Sequence, residues 1–419
     1  MESLPGGGHA GPRQEFHPDL AQSWKKILLV IWISQFIAQI GFSFALPFTP
    51  FYIQKMGVTG KSLDFWVAVS GAAPPLAMMV FAPIWGFLAD KFGRRKMLLR
   101  SYIGGVIVLV LMGFCDTPLS FVFLRLLQGA LSGTVSAAQT LVATHTPDEH
   151  NGFALGALNS AVYSGVLAGS FIGGIFADLF GYRISFVTGG VLLLVPVILT
   201  FFFIHEHFAP LMNLNRGFFG SIIPKRRHLI LAMPILILMG MVMFARQFDI
   251  SFIPLFVQAL HGSIEGASIW TGFLSAVICS GSVLSGFLLG YLADRYPPGK
   301  LAIFSAFLAA VFMFTLTFAH SMLYLFCGRF LMIFMSSGLD PALQIWLCRK
   351  TIPQTRGLIF GWASSARSFG WFLAPLVGGT VTAHFGIRAL FVVGPFFFLI
   401  ILFAMMRILK RFPDREDVG

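Results

Sequence analysis

Twelve long apolar runs, separated by short polar connections, fill almost the whole of this 419-residue chain. They lie at roughly 27–54, 64–89, 97–115, 119–144, 152–179, 184–204, 229–260, 267–293, 301–319, 322–348, 358–383 and 388–409. A run of about 20 apolar residues is long enough to cross a bilayer as a helix. In lipid a helix is favoured because it satisfies every backbone hydrogen bond internally. Only 11% of residues are charged and 57% are hydrophobic, against roughly 25% charged in a soluble domain. A water-soluble fold could not hide that much apolar surface, so the pattern predicts an all-α membrane protein with twelve transmembrane helices. No stretch between the runs is long enough for a separate soluble enzyme domain. Residues 1–24 are polar and the first run is longer than the apolar core of a signal peptide, so it is expected to remain as an anchor.

Basic residues predict the orientation. With the N-terminus inside, the inside segments carry 21 Lys/Arg and the outside loops only four, Lys55, Lys61, Arg183 and Arg388. The positive-inside bias then places both termini and the central connection in the cytoplasm. It also accounts for the net charge of +12 without invoking nucleic acid, because the bases are spread over loops bordering a membrane.

The chain repeats itself. Gly86-Phe-Leu-Ala-Asp90 returns as Gly290-Tyr-Leu-Ala-Asp294, Arg125 as Arg329, and Pro50-x-x-x-Gln54 as Pro254-x-x-x-Gln258, all at an offset of 204. At an offset of 205, Gly173-Gly174 matches Gly378-Gly379, and Gly181-Tyr-Arg183-x-x-Phe186 matches Gly386-Ile-Arg388-x-x-Phe391. One offset held across separate helices implies a duplicated six-helix unit. The organisation that follows is a tail 1–26, a bundle 27–204, a linker 205–228, a second bundle 229–409 and a tail 410–419. Two pseudo-symmetric bundles with a site between them suit alternating access.

The segment Gly86-Phe-Leu-Ala-Asp90-Lys-Phe-Gly93-Arg94-Arg95-Lys96 closes the second run. Gly86 lets a neighbouring helix approach, Gly93 permits a tight turn, and the bases hold the cytoplasmic side. The segment and its copy at Gly290–Asp294 resemble the loop signature of the major facilitator superfamily, and the resemblance covers nearly the whole chain. It implies that Gly86, Asp90, Gly93 and Arg94 are gating residues that latch the bundles together in the outward-open state, with Asp294 in a weaker second latch. Arg125-Leu-Leu-Gln128-Gly129 resembles the motif whose Arg is associated with proton coupling. Gly165-x-x-x-Gly169-Ser170-x-x-Gly173-Gly174 resembles the span-five motif of drug/proton antiporters, which places Gly169 and Gly173 among the gating residues. Ser170 stands where those antiporters usually have proline. The stretches Arg329–Gln344 and Arg367–Phe391 resemble the MdtG-like branch of bacterial multidrug exporters.

Six charged residues fall well inside the apolar runs, away from their ends: Arg125, Arg246, Asp249, Arg329, Asp340 and Arg367. Each costs at least about 2.5 kcal/mol at mid-membrane, so each is a functional candidate that should face a cavity or a partner. The i, i+3 spacing of Arg246 and Asp249 predicts that they pair on one helix face. Arg367 and Asp340 lie at similar depth and form a second candidate pair, leaving Arg125 and Arg329 without an acidic partner. Four bases against two acids predict a cavity that favours an anionic or carboxylate-bearing substrate. Proton coupling needs a group that changes charge, which Asp340 and Asp249 can do and an arginine cannot. Asp340 is the first choice, being nearest mid-membrane. Pro47, Pro50 and Pro254 break their helices and free backbone carbonyls, and Phe44 and Phe248 beside them are candidate cavity residues along with Arg246, Arg329 and Arg367.

The four cysteines read as buried small hydrophobes, and His205-Glu206-His207 as a loop rather than a metal site. No metal or cofactor is expected, no phosphate-binding loop of the ATPase type is present, and no nucleophile–base pairing suggests an enzyme. The expected function is secondary active transport: proton-coupled efflux of drugs or amphipathic small molecules, some of them anionic, by alternating access. The alternative is a proton-coupled symporter importing an organic anion. The expected protein is a monomer in a bacterial inner membrane, with the proton gradient as energy source.

Overall fold

The computed structural model describes residues 18–206, 226–295, 298–350 and 356–411. Most of the expected linker and both chain ends therefore lie outside the described residues. The described residues contain helices and turns and no strand, as bilayer physics requires of segments this apolar.

Spans two, three, five, eight, eleven and twelve are continuous helices, at Gly60–Phe92, Arg94–Met112, Asn151–Phe180, Ala267–Arg295, Arg356–Phe385 and Ala389–Arg411. Span nine is Pro298–Thr315 with one closing 3-10 turn. The other five are broken. Span one runs Pro18–Ser43, a 3-10 turn Leu46–Phe48, then Thr49–Lys55. Span seven copies it, with Arg226–Gln247, a turn Ile250–Phe252 and Ile253–His261. Span four divides into Pro118–Leu131 and Thr134–His145, span six into Tyr182–Leu192 and Leu194–Phe203, and span ten into Met322–Ser337 and Leu339–Lys350. Ten of these spans are long and apolar enough on their own to cross a membrane. Spans three and eleven complete the set of twelve. Span three opens on Arg94, Arg95 and Lys96 and carries Arg100, and span eleven is rich in serine and glycine around Arg367.

The breaks follow from local residue chemistry. Pro50 and Pro254 sit in the first turn of the segment after each break, where a missing N–H costs nothing. At Gly133, φ is +123°, a conformation that glycine adopts without penalty.

Each half is a six-span bundle. In the first, span one packs on span five, two on four and three on six; in the second, seven packs on eleven, eight on ten and nine on twelve. Glycines set the closest approaches. A Cβ on Gly173 would fall 2.2 Å from the carbonyl oxygen of Phe44, and one on Gly378 would fall 2.4 Å from that of Phe248. The repeat seen in sequence is thus a repeated contact: a glycine of span five or eleven seats on the break of span one or seven. Large apolar side chains cover the outside, with Leu119, Leu323 and Phe385 exposed by 67%, 72% and 78%. That is the expected surface of a protein whose solvent is lipid.

Candidate functional site

The two bundles meet along two seams, span two against span eleven and span five against span eight. Both seams are tight on one face only. A Cβ on Gly379 would lie 2.5 Å from that of Ala68, and one on Gly71 would lie 3.2 Å from Pro375. On the other seam, a Cβ on Gly174 would meet the Ser268 carbonyl at 2.6 Å, and one on Gly272 would meet the Ser170 carbonyl at 2.4 Å. Tyr182 Oη and Ser268 Oγ share a hydrogen bond of 2.9 Å across this seam. All of these residues lie toward the face opposite the basic loops. Toward the basic face the same four spans separate: among the described residues, Gly86, Gly152, Gly156, Gly286 and Gly361 have no atom of a neighbouring element within 4 Å of where a Cβ would stand. The opening between the bundles therefore faces the basic side and is shut on the other.

Polar groups deep in this opening divide unequally between the halves. The first half offers uncharged ones, where Trp32 Nε1 donates to Ser160 Oγ at 3.2 Å and Gln139 Nε2 to Asn159 Oδ1 at 3.2 Å. The second half offers charges. Arg367 and Asp340 stand 3.9 Å apart and are 25% and 21% exposed. Asp340 lies in the first turn of the helix that follows the break in span ten, where the helix dipole favours a negative charge. Arg246 donates to Ser337 Oγ at 3.1 Å, and Ser337 donates on to Ser282 Oγ at 3.2 Å.

Asp249 does not pair with Arg246, and this corrects the expectation from their spacing. The i, i+3 rule holds within a continuous helix, but this helix ends at Gln247 and Asp249 stands past the break, just before the following 3-10 turn. Its carboxylate instead takes a two-pronged ion pair from Arg329 of span ten, at 2.6 and 3.1 Å. Both side chains are fully buried. Arg329 is therefore neither unpartnered nor on a cavity wall in this conformation. Its repeat mate Arg125 has no acid beside it among the described residues: Nε donates to the Ser70 carbonyl at 3.2 Å and Nη1 to Gln128 Oε1 at 2.7 Å. The position equivalent to Asp249 in the first half is Ala45.

Phe44 and Phe248 are 4% and 0% exposed. They pack inside their bundles, Phe44 on Phe176 at 5.1 Å and Phe248 on Phe397 at 5.0 Å, and the glycine seats place them there rather than on the opening. Gly169 and Gly173 lie against span one, over Ile40 and Phe44. Ser170 and Gly174, one position further around the helix, form the seam with span eight. The side chains of Asp90 and Asp294 lie outside the described residues. Gly93, with φ +97°, turns the chain into span three.

Three further residues join the site that sequence reasoning does not single out. Glu206 caps span three, accepting from the backbone N–H of Arg94 at 3.1 Å and of Arg95 at 2.8 Å. It thereby ties the signature loop to the end of span six. Arg100 stands inside span three rather than in a loop: it donates to the Ser132 carbonyl at the break of span four at 3.0 Å and stacks over Trp85 at 3.5 Å. Asp178 accepts from the Ile269 backbone N–H at 3.2 Å, across the shut seam. Asp178 and Glu206 are acids at or just past helix ends and Arg100 is a base within an apolar run, which is the sequence signal each carries.

Known proteins share this architecture. The multidrug resistance proteins MdtG of Salmonella dublin and Salmonella arizonae are each 33% identical over 377 residues, which is 90% of this chain and 93% of theirs. Among solved structures, the nucleoside transporter NupG superposes with a TM-score of 0.73 at 14% identity, covering 92% of this chain and 99% of that one. A bacterial homologue of the lysosomal transporter Spinster, in an inward-facing and occupied conformation, gives 0.72 at 16% identity and covers 94% and 97%. These relatives are transporters rather than enzymes. The sequence profile of the Major Facilitator Superfamily matches residues 31–289 and 270–418, and with the twelve spans, two bundles and single-sided opening this places the chain in that superfamily of membrane transporters.

Proposed function

We propose that the protein exports drugs or other amphipathic small molecules from the cytoplasm in exchange for protons, with Asp340 as the proton carrier. The observation that carries this reading is the partly exposed pair Asp340–Arg367, 3.9 Å apart, in an opening that faces only the basic side. The positive-inside bias makes that side the cytoplasm, so a substrate enters from within the cell. A carboxylate that takes either a proton or the substrate binds the two alternately, and alternate binding is antiport. Asp249 is the weaker carrier candidate, since Arg329 holds it away from water in this conformation. Arg125, whose partners among the described residues are uncharged, supports span four against span two.

A second reading has its own support. Arg246 and Arg367 against Asp340 leave an excess of positive charge at the opening. An organic anion would dock on Arg367 once Asp340 is protonated, and anion and proton would then move together, which is symport. The substrate's charge thus decides the coupling. Cells carrying the protein should accumulate less of a lipophilic cation than cells lacking it, and a protonophore should abolish the difference. Equal accumulation, or lower accumulation that survives the protonophore, refutes proton-driven export.

A further inference from the structure

We infer that Asp178 is the residue that holds the outer gate shut: a positioning residue that clasps span five to span eight across the two bundles. The inference rests on the alternating-access reading above. Asp178 lies in the last turn of span five, Asn151–Phe180, and Ile269 in the first turn of span eight, Ala267–Arg295. The first N–H groups of a helix have no partner within it, and the helix dipole favours an anion there. The Asp178 carboxylate fills that place from the opposite bundle, accepting from Ile269 N at 3.2 Å. One turn on, Tyr182 Oη meets Ser268 Oγ at 2.9 Å. Beneath both, Gly174 and Gly272 let the helix backbones touch. The clasp therefore joins a seam already shaped for contact.

Two further observations assign it a gating role rather than a packing one. The first is asymmetry. At the repeat offsets of 204 and 205, the positions equivalent to Ile269 and Asp178 on the other seam are Phe65 and Ala383. Ala383 cannot accept through its side chain, and the nearby carboxylate, Asp64, stands on span two itself rather than on the opposite bundle, so a clasp from one bundle to the other belongs to the span-five seam. The second is access. A cavity of about 740 Å³ on the outer face is lined by Asp178 together with Tyr52, Tyr182, Arg183 and, from the second bundle, Glu265. The clasp is thus reached by water from outside while the seam below it is shut. A contact that must break in every cycle is useful only at such a wet edge, where water replaces the lost hydrogen bond.

The test reads gate opening without any substrate assay. Ser170 is 1% exposed at the seam and its hydroxyl has no hydrogen-bond partner, so Ser170→Cys is a small change. It is made in a background lacking Cys115, Cys279, Cys327 and Cys348, and labelled in intact cells with a maleimide that does not cross membranes. Asp178→Ala should raise the labelling rate about five- to tenfold, the equilibrium effect of losing a helix cap. Asp178→Asn, which keeps an acceptor oxygen without the charge, should fall between. Tyr182→Phe should give a smaller rise. Leu179→Ala, at a neighbouring side chain that is 71% exposed, should give none. Unchanged labelling in Asp178→Ala, with substrate efflux continuing, overturns the clasp and leaves alternating access standing. An equal rise in Leu179→Ala also overturns it. If Ser170→Cys stays unlabelled even during turnover, both the clasp and the alternating-access reading fall.

Discussion

Removing the Asp249 carboxylate should cost the protein more than removing its partner. The pair is fully buried, with two hydrogen bonds of 2.6 and 3.1 Å. Breaking a buried ion pair from one side leaves an uncompensated charge and costs about 3–5 kcal/mol. The two single substitutions differ in what they leave behind. Asp249→Ala strands a guanidinium, which cannot shed its proton. Arg329→Met strands a carboxyl, which can take one up and become neutral. Asp249→Ala should therefore lie near the upper end of the range and Arg329→Met near or below the lower end. The double variant, with no charge left to bury, should recover most of the loss. The assay is the fraction of detergent-solubilised protein that stays monodisperse after heating, compared across the four proteins of the cycle. The coupling between the two sites should be strong, since the residues touch. Additive losses in the double variant, or a single variant as stable as the wild type, would refute the claim that this pair pins the break of span seven to span ten.

Other expectations follow from the same contacts. Gly173→Val should prevent assembly of the first bundle, because its Cβ would fall 2.2 Å from the Phe44 carbonyl; the readout is loss of monodisperse protein on gel filtration. Gly86→Val should be neutral for stability, because no described residue of a neighbouring element lies within 4 Å of that site in this conformation, yet should slow transport if the basic-side seam closes over it during the cycle. Glu206→Ala removes an acceptor for two backbone N–H groups and should lower stability by about 1 kcal/mol, measured as a shift in the same heating curve.

Much of the architecture is legible in the residues themselves. The offset of Pro50 to Pro254 marks the paired breaks, and that of Gly173 to Gly378 marks the paired seats. The apolar runs give the spans, because lipid leaves backbone groups no other way to be satisfied. Span ends are less legible: the helix of span two runs on to Phe92, since a helix continues into the polar boundary without penalty. The charges inside the membrane are legible as a set, but their partners are not. Spacing alone puts Asp249 on a continuous helix, and the break at Gln247 turns it toward Arg329. Arg367 and Asp340 come together because both stand at similar depth, a one-dimensional fact that sequence carries. Which face an aromatic side chain takes is not such a fact, and Phe44 and Phe248 point into their bundles. Asp178 and Ile269 stand 91 residues apart and belong to different bundles, so no local pattern could join them.

The proposed transport cycle depends on Asp340 exchanging a proton against substrate in a cavity that opens to the cytoplasm. Purified protein in sealed vesicles, with a proton gradient imposed and both a labelled lipophilic cation and a labelled organic anion present, tests it most directly. The cation should move against the proton flow, and Asp340→Asn, although folded and inserted, should abolish this movement. Movement of solute along with the protons, or undiminished exchange in Asp340→Asn, would contradict it.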